Sequence, residues 1–138
     1  YTLLGDGEIQ EGQVWEAFMF AHHYKLDNLC VIIDNNGLQI DGAVDKVMSP
    51  YPIPDKLKAF GFAVKEIDGH DFDQMEAAFA EAKATKGVPF AIVMKTTKGK
   101  GVSYMENQAG WHGKAPNDEE YKIAMDELTA QLAEVEAM

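Results

Sequence analysis

Four short strand-like segments, separated by stretches of helical periodicity, constrain this 138-residue chain more than any other feature. Three are apolar runs, Tyr1-Thr2-Leu3-Leu4, Leu29 to Ile33 and Phe90 to Met94; the fourth, Ala63 to Ile67, reads as a strand that carries Lys65 and Glu66. Unbroken apolar runs of this length suit strands buried on both faces. Between the first two, residues 13–24 place Val14, Ala17, Phe18 and Ala21 at helical steps. Residues 35–53 are turn-rich. A short helix is expected over residues 55–60, stopped by Gly61. Asp71 is the expected N-cap of a helix carrying Phe72, Met75, Phe79 and Ala82 on one face. Asn117 with Glu120 resembles a capping box. The helix it opens carries Tyr121, Met125, Leu128, Leu132 and Val135 at steps of three and four. All of these stripes are expected to be core. Strands alternating with helices predict an α/β fold, a mostly parallel β-sheet with helices on both faces.

Composition removes several functions. A formal net charge of −11 and a pI near 4.6 argue against nucleic acid and anionic membrane as partners. No apolar run is long enough to span a bilayer and no signal peptide is visible, so the expected location is cytoplasmic. All 12 basic residues are Lys. Proteins that grip sugar phosphates use the bidentate Arg fork, so a substrate phosphate would be held by another domain or polypeptide. Cys30, the one cysteine, lies in an apolar run and reads as a small buried hydrophobe.

The chemistry sits at two strand ends. Gly5-Asp6-Gly7 closes the first run, and after 27 residues Asn35-Asn36 closes the second. An acid and an amide thus meet at the carboxyl ends of strands expected to be parallel, where open α/β sheets bind ligands. Magnesium prefers an octahedron of oxygen ligands and shares them with substrate phosphates. Asp6 offers a carboxylate, and Asn36 an amide oxygen that adds no charge beside a phosphate. Gly5 and Gly7 allow a sharp turn and close backbone approach. The same residue types also suit a plain strand-to-helix turn followed by an Asn-Gly turn.

This spacing resembles the thiamine diphosphate and magnesium motif of thiamine enzymes, and Gly5-Asp6-Gly7-Glu8-Ile9-Gln10-Glu11-Gly12 resembles its transketolase form. Ile40-Asp41-Gly42, Lys98-Gly99-Lys100-Gly101 and the stretch from Asn107 to Pro116 are similar to transketolase segments in the family's order. The resemblance implies that Asp6, Asn36 and the Leu38 carbonyl ligate magnesium, with calcium able to take its place. It implies that Gly5, Asp6, Gly7, Glu8, Asn36, Leu38 and His112 contact thiamine diphosphate. His112 matches the family's active-site histidine, a residue suited to donating to phosphate or moving a proton near neutral pH. On its own it would read as a loop histidine capping a turn. Glu11 and Glu16 match glutamates at the family's dimer interface, although the helix dipole alone would account for acids there.

The implied reaction moves a two-carbon glycolaldehyde unit from a ketose phosphate to an aldose phosphate. The glutamate that activates the cofactor's aminopyrimidine lies, in this family, in another domain. Residues 1–138 therefore read as the C-terminal portion of a pyrophosphate-binding domain, inactive without a pyrimidine-binding transketolase partner. The expected assembly is a dimer of heterodimers. Three alternatives stand beside this: a 1-deoxyxylulose-5-phosphate synthase, a transketolase specialised for an unusual sugar phosphate, and a non-catalytic assembly domain of the same fold. His22-His23 point to different helix faces and make a poor metal pair. His70 reads as part of a turn, and Trp111 as a buried anchor for its loop.

Overall fold

The structure, a computed structural model, describes residues 1–137. Four strands form one parallel sheet in the order β1 (Thr2–Gly5), β2 (Cys30–Asn35), β6 (Phe90–Lys95), β5 (Ala63–Asp68). The register pairs Leu4 with Ile33, Ile33 with Val93, and Ala63 with Phe90. Alternation along β6 explains why its whole run is apolar. Ala91 and Val93 face one core with Phe18, Ala21, Ile53 and Leu57, under α1 (Gly12–His23) and α3 (Ile53–Ala59). Phe90 and Ile92 face a second core with Ile67, Ala78 and Ala82, under α4 (Phe72–Ala84). Ile33 and Ile92 are fully buried, and each such side chain contributes about 1.5–3 kcal/mol. The α/β fold with helices on both faces is thus as expected.

The chain runs from β1 to β2, jumps to the outer β5, and returns to β6 beside β2. The direction of winding therefore reverses at β5, and the carboxyl ends of β1 and β2, where open α/β sheets bind ligands, lie side by side.

The local differences from expectation have physical causes. The turn-rich segment contains a hairpin, β3 (Leu38–Gln39) with β4 (Gly42–Ala43), and the short helix α2 (Val44–Val47). The helix expected from residue 55 begins at Ile53, because proline suits a first helical turn, where its missing N–H has no partner to lose. Ala17 is exposed on α1, and Phe72, expected on the buried face of α4, is 82% exposed. The core line of α4 is Met75, Ala78, Phe79 and Ala82. The largest correction concerns α5 (Asp118–Glu136). Its stripe of Tyr121, Met125, Leu128, Leu132 and Val135 is exposed, and only Ala124 is buried. Periodicity reports that a helix has an apolar face; it does not report what covers that face. The Asn117–Glu120 capping box is present as expected, and Cys30 is buried. No described helix is long and apolar enough to cross a membrane.

Candidate cofactor site

Backbone pairing continues past the strand ends. The Asp6 N–H donates to the Asp34 carbonyl at 3.1 Å, which brings the Gly5-Asp6-Gly7 turn against the end of β2. The Gly37 N–H donates to Asp6 Oδ2 at 2.6 Å. Asp6 and the Asn36-Gly37 turn are thereby joined across 31 positions of sequence. Gly37 takes a positive φ of 79°, the left-handed conformation for which glycine is suited. A Cβ on Gly7 would lie 3.0 Å from Gln39 Cβ, so a larger residue there would crowd the hairpin against the turn. Gln10 holds the hairpin in place, donating to Gln39 Oε1 and to the Met48 carbonyl, both at 2.6 Å.

Asp6 is fully buried, yet its Oδ1 has no hydrogen-bond partner. Buried polar atoms are nearly always paired, so an orphaned carboxylate oxygen calls for an explanation. Burial pushes the Asp6 carboxyl above its ordinary range; the Gly37 N–H works against this and the neighbouring Asp34 adds to it. An ionised acid held this way is a poor structural element and a good cation ligand.

The Asn36 amide is oriented at both ends. Its Oδ1 accepts from the Leu38 N–H at 2.9 Å, and its Nδ2 donates to Asp34 Oδ2 at 3.1 Å. Asp6, Gly7, Glu8, Asn36, Leu38 and His112 line one cavity of about 570 Å³. Gly5 lines it too, so every residue expected to hold the diphosphate or the metal reaches it. Glu8 also turns back on its own loop, accepting from the Gly5 N–H at 2.6 Å. Glu11 is the N-cap of α1 and lines the same cavity, but its side chain makes no capping bond. Glu16 is exposed on α1, outside the cavity.

His112 follows a 3-10 turn, Ala109–Trp111, and is exposed. Trp111 anchors that turn, its Nε1 donating to the Tyr104 carbonyl at 3.1 Å while Lys114 sits 4.2 Å over its ring. Lys98 Nζ lies 3.2 Å from His112 Nδ1. An ammonium can only donate, so Nδ1 accepts and the ring proton sits on Nε2. Lys98 thus brings a positive charge to a cavity that also holds Asp6, Glu8, Glu11 and Asp34. Sequence reasoning missed Lys98 and Asp34; a lone charge ending an otherwise apolar strand was the available signal for Asp34.

A larger cavity of about 660 Å³ opens over β5 and β6, lined by Asn35, Asp68, His70, Gln74, Thr96 and Thr97. It holds none of the expected ligands. His70 Nε2 accepts from the Thr97 N–H at 2.8 Å there, a contact that ties its turn to the segment beyond β6. Among the described residues, no group of three His, Cys, Asp or Glu side chains converges as a metal site. The expected ligand set is of another kind, with one carboxylate, one amide oxygen and one backbone carbonyl.

The class these features define is a parallel α/β protein with an orphaned acid and an oriented amide at adjoining strand ends. The chain belongs to the transketolase family, matching its thiamine diphosphate binding domain over residues 1–134. It is 43% identical over 136 residues to a subunit of the apulose-4-phosphate transketolase of Phocaeicola vulgatus, covering 99% of this chain and 48% of that protein. It is 43% identical over 133 residues to the 6-deoxy-6-sulfo-D-fructose transketolase subunit SqwG of a Clostridium species, covering 96% and 48%. The fold superposes on the crystal structure of Campylobacter jejuni transketolase with a TM-score of 0.83 at 35% identity, covering 90% of this chain and 19% of that one. The chain thus spans about half the length of the subunit relatives it matches.

Proposed function

We propose that this chain supplies the metal and diphosphate half of a thiamine diphosphate site in a two-subunit transketolase. The observation that carries the reading is the buried Asp6 carboxylate, whose unpartnered Oδ1 belongs to a residue of the cavity that Asn36 and Leu38 also line. Asp6, the Asn36 amide oxygen and the Leu38 carbonyl would hold magnesium, and calcium could replace it. Gly5, Gly7 and Glu8 would shape the wall against the diphosphate. Lys98 would offset part of the anionic charge. His112, with its proton on Nε2, would donate to phosphate or to the reacting sugar. Thiamine diphosphate, when bound, supplies the electron sink that lets a carbon–carbon bond beside a carbonyl break.

The relatives named as transketolase subunits support a second polypeptide, which would carry the pyrimidine side; Glu11 and Glu16 would lie at the dimer interface of the assembly. The sugars in the relatives' names, apulose-4-phosphate and 6-deoxy-6-sulfofructose, both carry an anionic group. With no Arg in this chain, the partner would read that anion.

The test is calorimetric titration of thiamine diphosphate into the intact protein mixed with its partner, with and without magnesium. Binding that needs magnesium and disappears in Asp6→Ala supports the reading. Equal binding in the variant overturns it. The isolated chain should show no two-carbon transfer, and robust transfer by it alone would refute the split-site assignment.

A further inference from the structure

We propose that Asp34 is the positioning residue of this site, setting which end of the Asn36 amide faces the cavity. The inference rests on the cofactor reading above. Asp34 is the last residue but one of β2, and three elements converge on it. Its carbonyl accepts the Asp6 N–H at 3.1 Å. Its Oδ2 accepts Asn36 Nδ2 at 3.1 Å, and its Oδ1 accepts the Thr96 hydroxyl from just beyond β6.

The orienting force comes from the donor and acceptor inventory. An ionised carboxylate only accepts, whereas an amide has one donating and one accepting end. The Asn36 NH2 therefore turns toward Asp34, and its oxygen turns away, to the side where it meets the Leu38 N–H. A flipped amide would set oxygen against oxygen. It would also present an NH2 to the cation, which cannot ligate it. Thr96 matters because it lies 62 positions away, beyond the neighbouring strand. It fixes the Asp34 carboxylate from outside the segment that carries Asn36, so the orientation does not depend on the Asn-Gly turn alone. Groups that orient a metal's own ligands in this way typically affect its affinity by roughly 10–100-fold.

The test uses the intact protein with its pyrimidine-side partner, and reads the magnesium dissociation constant at saturating thiamine diphosphate. Asp34→Ala should raise that constant by roughly 10–100-fold. Asp34→Asn should stay close to the wild type, because its amide oxygen can accept from Asn36 while its NH2 donates to the Thr96 hydroxyl. Thr96→Val should weaken magnesium several-fold while leaving both the charge and Asn36 in place. Unfolding midpoints without metal separate this effect from simple loss of fold; if Asp34→Ala does not fold, Thr96→Val decides. Wild-type magnesium affinity in Asp34→Ala, or in Thr96→Val when that variant decides, overturns the proposal. So does an Asp34→Asn variant as weak as Asp34→Ala, which would assign the effect to charge and not to orientation. A wild type without magnesium-dependent binding is a different result, and refutes the cofactor reading itself.

Discussion

Asp6 shows at the residue scale how the proposed metal ligand opposes the stability of the fold. Its carboxyl is raised above the ordinary value of 3.8, chiefly by burial. For an acid with a raised folded pKa, the contribution to stability falls as pH rises from the unfolded value through the folded one. Once ionised, the acid is a buried charge with one bare oxygen, and the metal-free protein carries that cost. Asp6→Asn should raise the unfolding midpoint of the metal-free protein and remove magnesium-dependent cofactor binding; a lowered midpoint would contradict the charge argument. Gly99 makes a steric case. Its φ is +73°, and a Cβ there would lie 2.6 Å from the Met105 carbonyl oxygen. Gly99→Ala should cost about 1–3 kcal/mol in denaturant unfolding and loosen the neighbouring contact of Lys98 with His112. The acid and the amide were legible in the sequence through their spacing, one just past each of two apolar runs. The orphaned oxygen and the Thr96–Asp34 contact were not, because they depend on side chains brought together from separate strands.

Helix ends dominate the scale of elements. In α5, Asn117 Oδ1 accepts the Glu120 N–H at 2.8 Å, and Glu120 Oε2 accepts the Asn117 N–H at 2.9 Å. Asn117→Ala should cost about 1 kcal/mol of stability, measured by urea unfolding. The carboxyls of Asp71, Glu120 and Glu127 are all held below their ordinary range, by hydrogen bonds from Gln74, from Asn117 and Lys114, and from Ser103 respectively. The sign is opposite to that of Asp6. Their contribution is fully present above the ordinary carboxylate values of 3.8 to 4.5 and is lost as pH falls through the lower folded values. Amide exchange at the first turns of α4 and α5 should accelerate on acidification through that window, while the central strands stay protected. Element identity and the caps were readable, since strand runs and cap residues are local signals. The burial of α5 was not readable, because an apolar face is a property of one helix and its covering belongs to another surface.

Across the whole molecule, stability and association draw on different apolar surfaces. Leu57 is fully buried between α3 and the sheet, and Leu57→Ala should cost about 2–5 kcal/mol. On α1, by contrast, Met19, Phe20 and Tyr24 are 56%, 57% and 59% exposed, and Phe20 and Tyr24 stack with ring centroids 4.4 Å apart. Exposed apolar clusters of this kind mark interaction surfaces. In the proposed assembly, Phe20→Glu should weaken association with the partner, measured by ultracentrifugation, while leaving the unfolding midpoint of the chain nearly unchanged. The sequence by itself determined the strand and helix order, the parallel sheet, and the meeting of Asp6 with Asn36, because these follow from local periodicity and from residues at strand ends. Only the tertiary structure decided that β2 and β6 are neighbours, that Asp34 joins Thr96 across them, that Lys98 reaches His112, and that the α5 stripe lies open. Those outcomes depend on which elements pack together, and packing is set by the fit of whole surfaces that no single segment carries.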